Sequence, residues 1–238
     1  MDYKLGIDIG GTKIRAVIWN GKKITSAFSA KTPKIKKEFI EILKTKIKKL
    51  IGNNGEIKSV GIGVAGVIGK NKIIFSPNIS YLRNFNFRDI FPRLPLKIDN
   101  DARVFLSGEL KFGNGIKAKK VMGFTVGTGI GRAFAENGKV KKIKKFEYPE
   151  KWEKKYQRIR DFKTDVALAE FLGNRLALIA KKYSPEIVVI GGGILKRKNF
   201  FGLLKEKLSK KMKEKSEKIK FKKATSADSV AIGAALLV

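Results

Sequence analysis

Apolar runs broken by glycine turns give the chain its pattern. Leu5-Gly6-Ile7-Asp8-Ile9 reads as a buried strand, the turn Gly10-Gly11-Thr12-Lys13 follows, and Ile14 to Trp19 predicts a second strand. Asn20-Gly21 is a two-residue hairpin signal leading into a third strand, Lys23 to Phe28. From Pro33 to Ile51 the apolar residues Ile35, Phe39, Ile42, Leu43, Ile47 and Leu50 recur at helical spacing, with lysines on the other face. Asn53-Asn54-Gly55 ends that helix, and Ser59 to Val64 reads as a short buried strand.

A second round has a similar order. Val121 to Val126 predicts a strand, Gly127-Thr128-Gly129 a turn, and Gly131 to Ala135 another strand ending at Asn137-Gly138. A helix is expected from Thr164 to Lys182, then the buried strand Glu186 to Ile190 and the run Gly191-Gly192-Gly193. Strand, glycine turn, strand and later helix occur in both halves, which predicts a duplicated α/β unit with a cleft between the copies. The boundaries expected are an N-terminal domain over residues 1–97, rejoined by a last helix over 226–238, and a C-terminal domain over 98–225. Lys70 to Pro95 and Lys139 to Lys163 read as irregular and exposed.

Composition narrows the chemistry. The chain has 238 residues, room for one large domain or two small ones, and no apolar run long enough to span a bilayer. Met1-Asp2-Tyr3-Lys4 runs straight into the first strand without a signal peptide, so the expectation is a cytoplasmic protein off the membrane. With no cysteine there is no disulfide and no thiolate zinc site, and with no histidine every His-based triad, ligand or general base is excluded. Any base must be a carboxylate, Lys or Tyr. Lys plus Arg total 53 against 21 Asp plus Glu, a formal net charge of +32. Such a field attracts polyanions; the competing account is a lysine-biased composition spread evenly.

The motifs each have a functional and a plainer reading. In Asp8-Ile9-Gly10-Gly11-Thr12-Lys13 two glycines let backbone N–H groups approach phosphate oxygens, Asp8 can hold Mg²⁺ through water, and Thr12 can donate its hydroxyl. A Gly-Gly turn can equally be only a hairpin. Gly127-Thr128-Gly129-Ile130-Gly131 repeats the device in the corresponding place of the second half, which strengthens the phosphate reading. Gly191-Gly192-Gly193 ends a buried strand, where α/β folds leave room for a nucleotide. Asp101, in Ile98-Asp99-Asn100-Asp101-Ala102, can take a proton from an attacking hydroxyl, or either Asn100 or Asp101 can be a helix N-cap.

These residues resemble the ROK sugar kinases. The resemblance rests on the motifs just quoted with Gly61-Ile62-Gly63-Val64-Ala65-Gly66, Ser76-Pro77-Asn78 and Ala231-Ile232-Gly233-Ala234-Ala235, all in the family's order. It implies a two-domain, actin-like (duplicated ribonuclease H-like) α/β fold with an interdomain cleft, and Mg²⁺-assisted phosphoryl transfer to a hexose hydroxyl. It implies Asp101 as the base, and Asn100, Asn78 and Gly66 near the sugar. Gly10, Gly11, Thr12, Lys13, Gly127, Thr128 and Gly129 match the phosphate loops, and Gly191, Gly192 and Gly193 the adenosine motif. Mg²⁺ would be held largely through water beside Asp8 and Asp101, and the family is commonly dimeric.

Two departures stand out. The family's Glu-x-Gly-His segment and Cys-rich zinc motif are missing; Lys145 to Lys151 stands in that place, with Glu147 in the glutamate's role and Glu150 at the histidine's position. Within the family the chain looks most like the short, zinc-free polyphosphate glucokinases, which have a non-glycine residue where Arg132 stands here. ATP or inorganic polyphosphate is the expected donor, with Arg132, Lys139, Lys141, Lys142, Lys144 and Lys145, together with the lysines after Leu195, as a basic track. The competing class is a non-catalytic ROK-like protein that binds nucleic acid or another polyanion. Against it, no helix-turn-helix precedes Leu5, where the family's repressors have one.

Overall fold

Alternation at the N-terminus builds a three-stranded meander. β1 (Tyr3–Ile9), β2 (Lys13–Trp19) and β3 (Ile24–Lys31) pair antiparallel, and β3 alternates between partly buried and exposed positions as an edge strand does. The loop after Trp19 runs to Lys23, because the Asn20 side chain accepts from the backbone N–H of both Lys22 and Lys23 and Gly21 takes φ 90°. This computed structural model describes residues 2–52, 56–69, 72–212 and 219–238. The predicted helix stop at Asn53-Asn54-Gly55 lies outside them.

The chain divides into two compact units, Met1–Gly108 with Asp228–Val238, and Glu109–Ala227. In the first, β1 pairs parallel with β4 (Ile57–Val64), and β4 with β7 (Leu96–Asn100), giving the order β3-β2-β1-β4-β7. β7 is thus a strand of the first sheet, and the units part inside the next helix, α3 (Asp101–Phe112), rather than at Lys97. The expected amphipathic helix forms as α1 (Lys36–Glu41), a π-helical stretch Ile42–Ile47 and α2 (Lys48–Gly52). Its Phe39, Leu43 and Ile47, four apart, are buried in one core with Leu5, Ile7 and Ile9.

The segment Lys70 to Pro95 corrects the expectation of an exposed loop. A hairpin of β5 (Val67–Ile68) and β6 (Ile73–Phe75) leads into helical turns at Ser80–Leu82 and Phe87–Asp89. Ile79, Leu82, Phe85, Phe87, Ile90 and Phe91 are all buried, and Phe85 packs edge-on against Phe39 at 5.5 Å. Each short turn resets the phase of the apolar positions, so neither a period of two nor one of 3.6 shows.

The second unit repeats the plan. β8 (Lys120–Val126), β9 (Ile130–Glu136) and β10 (Lys139–Lys141) form an antiparallel meander; β11 (Ile187–Gly191) and β12 (Lys220–Lys223) add in parallel, in the order β10-β9-β8-β11-β12. Lys139 to Lys163, expected to be irregular, holds β10 and α4 (Lys151–Ile159), whose Tyr156 is buried. The start of α4 is a reciprocal capping box between Glu150 and Glu153. α5 (Asp165–Lys181), capped by Thr164, buries Leu168, Leu172 and Leu176; α6 (Phe200–Met212) buries Phe200, Leu204, Leu208 and Met212.

The last helix, α7 (Ser229–Ala235), packs on β1 and β4 of the first unit. Gly6 and Gly61 are register partners on these strands, and a methyl group at either would overlap the backbone of Ala231 or Ala234. Helix and sheet therefore meet backbone to backbone, which only glycine permits. No described helix is long and apolar enough to cross a membrane.

Candidate active site

In the first unit, parallel pairing brings the carboxyl ends of β1, β4 and β7 to one edge of the sheet, with Asp8 beside Gly63 and Val64 beside Asn100. Such an edge is where α/β sheets receive ligands. Asp101 follows at once as the first residue of α3.

Of the two cap candidates at the start of α3, Asn100 makes the longer reach. Asn100 Oδ1 accepts from Ala102 N at 3.1 Å and Arg103 N at 3.4 Å, so Asn100 caps the helix. Its Nδ2 donates to the Gly66 carbonyl at 2.9 Å, which ties the loop after β4 to the end of β7. Gly66 has φ 147°, and a methyl group there would overlap the Phe75 carbonyl. Asp101 shares the first of the cap bonds, its Oδ1 accepting from Ala102 N at 2.9 Å, while Arg103 N goes to Asn100. Arg103, buried, donates through Nε to Asp99 at 2.9 Å.

Burial pushes the Asp101 carboxyl up to about 6, against the pull of the Ala102 N–H and the Arg103 charge. Asp8 goes further, to about 8: burial is the largest cause, the charge of Asp101 adds to it, Lys13 opposes it and Asp228 adds again. Arg15, opposite Asp8 across the β1–β2 pair, grips Asp228 with Nε and Nη2, each at 2.8 Å. The first glycine turn lies beside these groups. Gly10 N donates to Lys13 O at 3.0 Å, and a methyl at Gly11 would overlap the Asn78 side chain, so Asn78 sits directly on the turn. The Ser76 hydroxyl fixes that segment by donating to Ala65 O at 2.8 Å.

In the second unit the two glycine runs lie side by side. Gly191 pairs with Thr125, and a methyl at Gly192, whose φ is 103°, would overlap Val126 just before Gly127. A methyl at Gly193 would meet open space. Gly127 N donates to Gly129 O at 3.0 Å to close the turn. Behind it stands α4: the Tyr156 hydroxyl donates to Gly127 O at 2.7 Å, Arg160 Nη1 to the same oxygen at 3.3 Å, and Gln157 Nε2 to Thr128 O at 3.4 Å. Arg197, just past the Gly193–Lys196 turn, donates to Arg160 O at 2.7 Å and pairs with Asp165 at 2.8 Å.

The sequence missed α4's side chains and the Arg15–Asp228 pair. Trp152, Tyr156 and Ile159, on one helical face, were the only available sign of α4. Arg15 can be placed only once the strand register is known.

The basic track needs a correction. Arg132 is 1% exposed and is consumed inside the unit, by Glu150 at 2.8 Å, Glu153 at 2.8 Å and the Tyr148 carbonyl at 2.7 Å. It is not a surface cation. Glu150 is likewise engaged, by Arg132, by Trp152 Nε1 at 2.9 Å and in the capping box, while Glu147 is buried in the turn before it. Lys142, Lys144 and Lys145 are exposed, and Lys141 lies 3.4 Å from Glu136. Among the described residues no group of three or more acidic side chains is placed to hold a metal ion.

The model of the ROK family matches residues 4–142, more than half of the chain. The chain belongs to the ROK family. A glucokinase of Streptomyces coelicolor is 32% identical over 148 residues, a stretch covering 60% of this chain and 46% of that protein. The ROK chain thus spans about half the length of the curated relatives it matches. Some other relatives are called xylose repressors. Among solved structures, a ROK glucokinase from Streptomyces griseus, in complex with glucose and AMPPNP, superposes with a TM-score of 0.82 at 21% identity over 99% of both chains. An inorganic polyphosphate/ATP-glucomannokinase from Arthrobacter sp. strain KM gives 0.78 at 24% identity, covering 100% of this chain and 98% of that one. The fold is the two-domain, actin-like fold of the ROK sugar kinases.

Proposed function

We propose that this ROK chain is a sugar kinase in which Asp101 is the general base. The observation that carries the reading is the start of α3: Asn100 reaches both Ala102 N and Arg103 N, while the adjacent, buried carboxylate of Asp101 takes only the N–H of its neighbour Ala102. Burial also places its pKa at about 6, near the value that suits a base at neutral pH. An acceptor hydroxyl attacks the terminal phosphorus of the donor; its proton passes to Asp101 as the new O–P bond forms and the bond to the leaving phosphate breaks. Asn100, Asn78 and Gly66 form the acceptor side in the first unit. Gly10 to Lys13 in the first unit, and Gly127 to Gly129 with Gly191 to Gly193 in the second, bind the donor's phosphates and nucleoside.

Mg²⁺ fits the donor set. Asp8 and Asp101 offer hard oxygen atoms, and burial together with the neighbouring charge of Asp101 disfavours a bare Asp8 carboxylate, a cost that a bound cation would offset. A bound ion would neutralise phosphate charge on the donor; Asp8 and Asp101 would hold it, and Asp101 would keep its proton-accepting role. The acceptor is a hexose of glucose type, supported by the glucokinase relative, and the donor ATP or inorganic polyphosphate, supported by the +32 charge and the glucomannokinase fold.

A coupled assay over a panel of hexoses and amino sugars, with ATP and polyphosphate in parallel, tests this. Phosphorylation of at least one sugar is expected; none with either donor would overturn it. The net charge and the repressor relatives favour a second reading, a non-catalytic polyanion binder. That reading predicts tight binding to nucleic acid with no turnover.

A further inference from the structure

Each unit anchors the first carbonyl of its glycine turn with a hydroxyl group. In the first unit the Thr32 hydroxyl donates to Gly10 O at 2.6 Å, and Thr32 N to Thr12 O at 3.0 Å. In the second, the Tyr156 hydroxyl donates to Gly127 O at 2.7 Å, and Gln157 to Thr128 O. Thr32 follows an edge strand and Tyr156 lies on a helix, so different elements make the same contact to corresponding turns. A trans peptide unit is planar, and its C=O and N–H point in opposite directions. Fixing Gly10 O therefore aims the Gly11 N–H away from Thr32, and fixing Gly127 O aims the Thr128 N–H away from α4. A free glycine turn would sample orientations that present a carbonyl, which repels phosphate.

We infer that Thr32 and Tyr156 are positioning residues: each holds its turn with N–H groups, not carbonyls, facing the phosphoryl donor. The inference rests on the kinase reading above, since it supposes that these turns bind the donor. Tyr156 is fully buried, so Tyr156→Phe removes one hydroxyl and leaves the ring packed. Thr32→Val does the same in the first unit. Tyr81→Phe is the matched control, because its hydroxyl donates at 2.7 Å to Pro33 O, outside both turns.

The test measures KM for donor and sugar together with binding of ADP, tripolyphosphate and free sugar by calorimetry. Loss of one such hydrogen bond should raise donor KM, and the Kd of ADP or tripolyphosphate, about tenfold in each anchor variant, with sugar affinity unchanged. Tyr81→Phe should leave donor affinity at the wild-type value. Wild-type donor affinity in both anchor variants, or an equal loss in Tyr81→Phe, overturns the inference. Should the wild type phosphorylate no sugar, the kinase reading fails, yet the binding arm still decides on the anchors. Failure of the wild type to bind either ADP or tripolyphosphate overturns them too.

Discussion

As the proposed base, Asp101 must be ionised to take a proton, and its pKa, pushed by burial up to about 6, sets where that fails. The rate should be flat above pH 7 and fall about tenfold per pH unit well below 6. A pH profile of kcat that stays level down to pH 4.5 would contradict this. Asp8 gives a stability test of the same cluster. Its pKa is raised, so the folded protein holds the proton more tightly than the unfolded chain. The stability this contributes is complete below about 4 and is lost as pH rises through about 8. Asp8→Asn, melted beside the wild type with EDTA present, should gain thermal stability relative to it from pH 4 to pH 9. A constant difference would contradict the burial argument. The candidate carboxylates and glycines were legible in the sequence because motif residues lie close together along the chain. Arg15 facing Asp8 was not, since strand register is a tertiary fact. Nor was the choice of Asn100 as cap, which depends on which side chain bends back to Ala102 and Arg103.

At the scale of elements, the strands and the long helix α5 were legible because they keep one period throughout. The segment after Gly69 was not, because short helical turns and a two-stranded hairpin scramble the phase while Phe85 and Phe87 go to the core. α4 hid behind its lysines, its inner side reduced to Tyr156, Glu153 and parts of Trp152 and Ile159. Two glycine substitutions separate packing from ligand contact. Gly61→Ala should cost more than about 3 kcal/mol, because a methyl group must displace α7 backbone. Gly193→Ala should leave the melting temperature within the error of a surface change, about 0.5 kcal/mol, yet raise donor KM, because the methyl occupies space open in the free protein. Thermal melts and donor kinetics on both variants check this. Arg132→Met leaves Glu153 buried without its cation and should cost about 3–5 kcal/mol. If it instead changed only polyphosphate use, Arg132 would belong to a donor track after all.

On the scale of the whole molecule, the repeated strand order in the two sheets is what the paired glycine turns pointed to. The charge of +32 adds a salt prediction. A polyphosphate chain held by several lysines should lose kcat/KM steeply between low and high salt, while ATP, gripped mainly by backbone donors, should lose little. Changing Lys142, Lys144 and Lys145 to Gln should flatten the polyphosphate slope and leave ATP alone; equal slopes in variant and wild type would show that the lysines are only a solvated face. Above all these stands the claim that the chain transfers a phosphoryl group to a sugar with Asp101 as base. The direct measurement is sugar phosphate formed per minute by the wild type and by Asp101→Asn, each shown folded by its melting curve. The account predicts turnover by the wild type and a loss of about a hundredfold or more in the variant; equal turnover by the two folded proteins would contradict it.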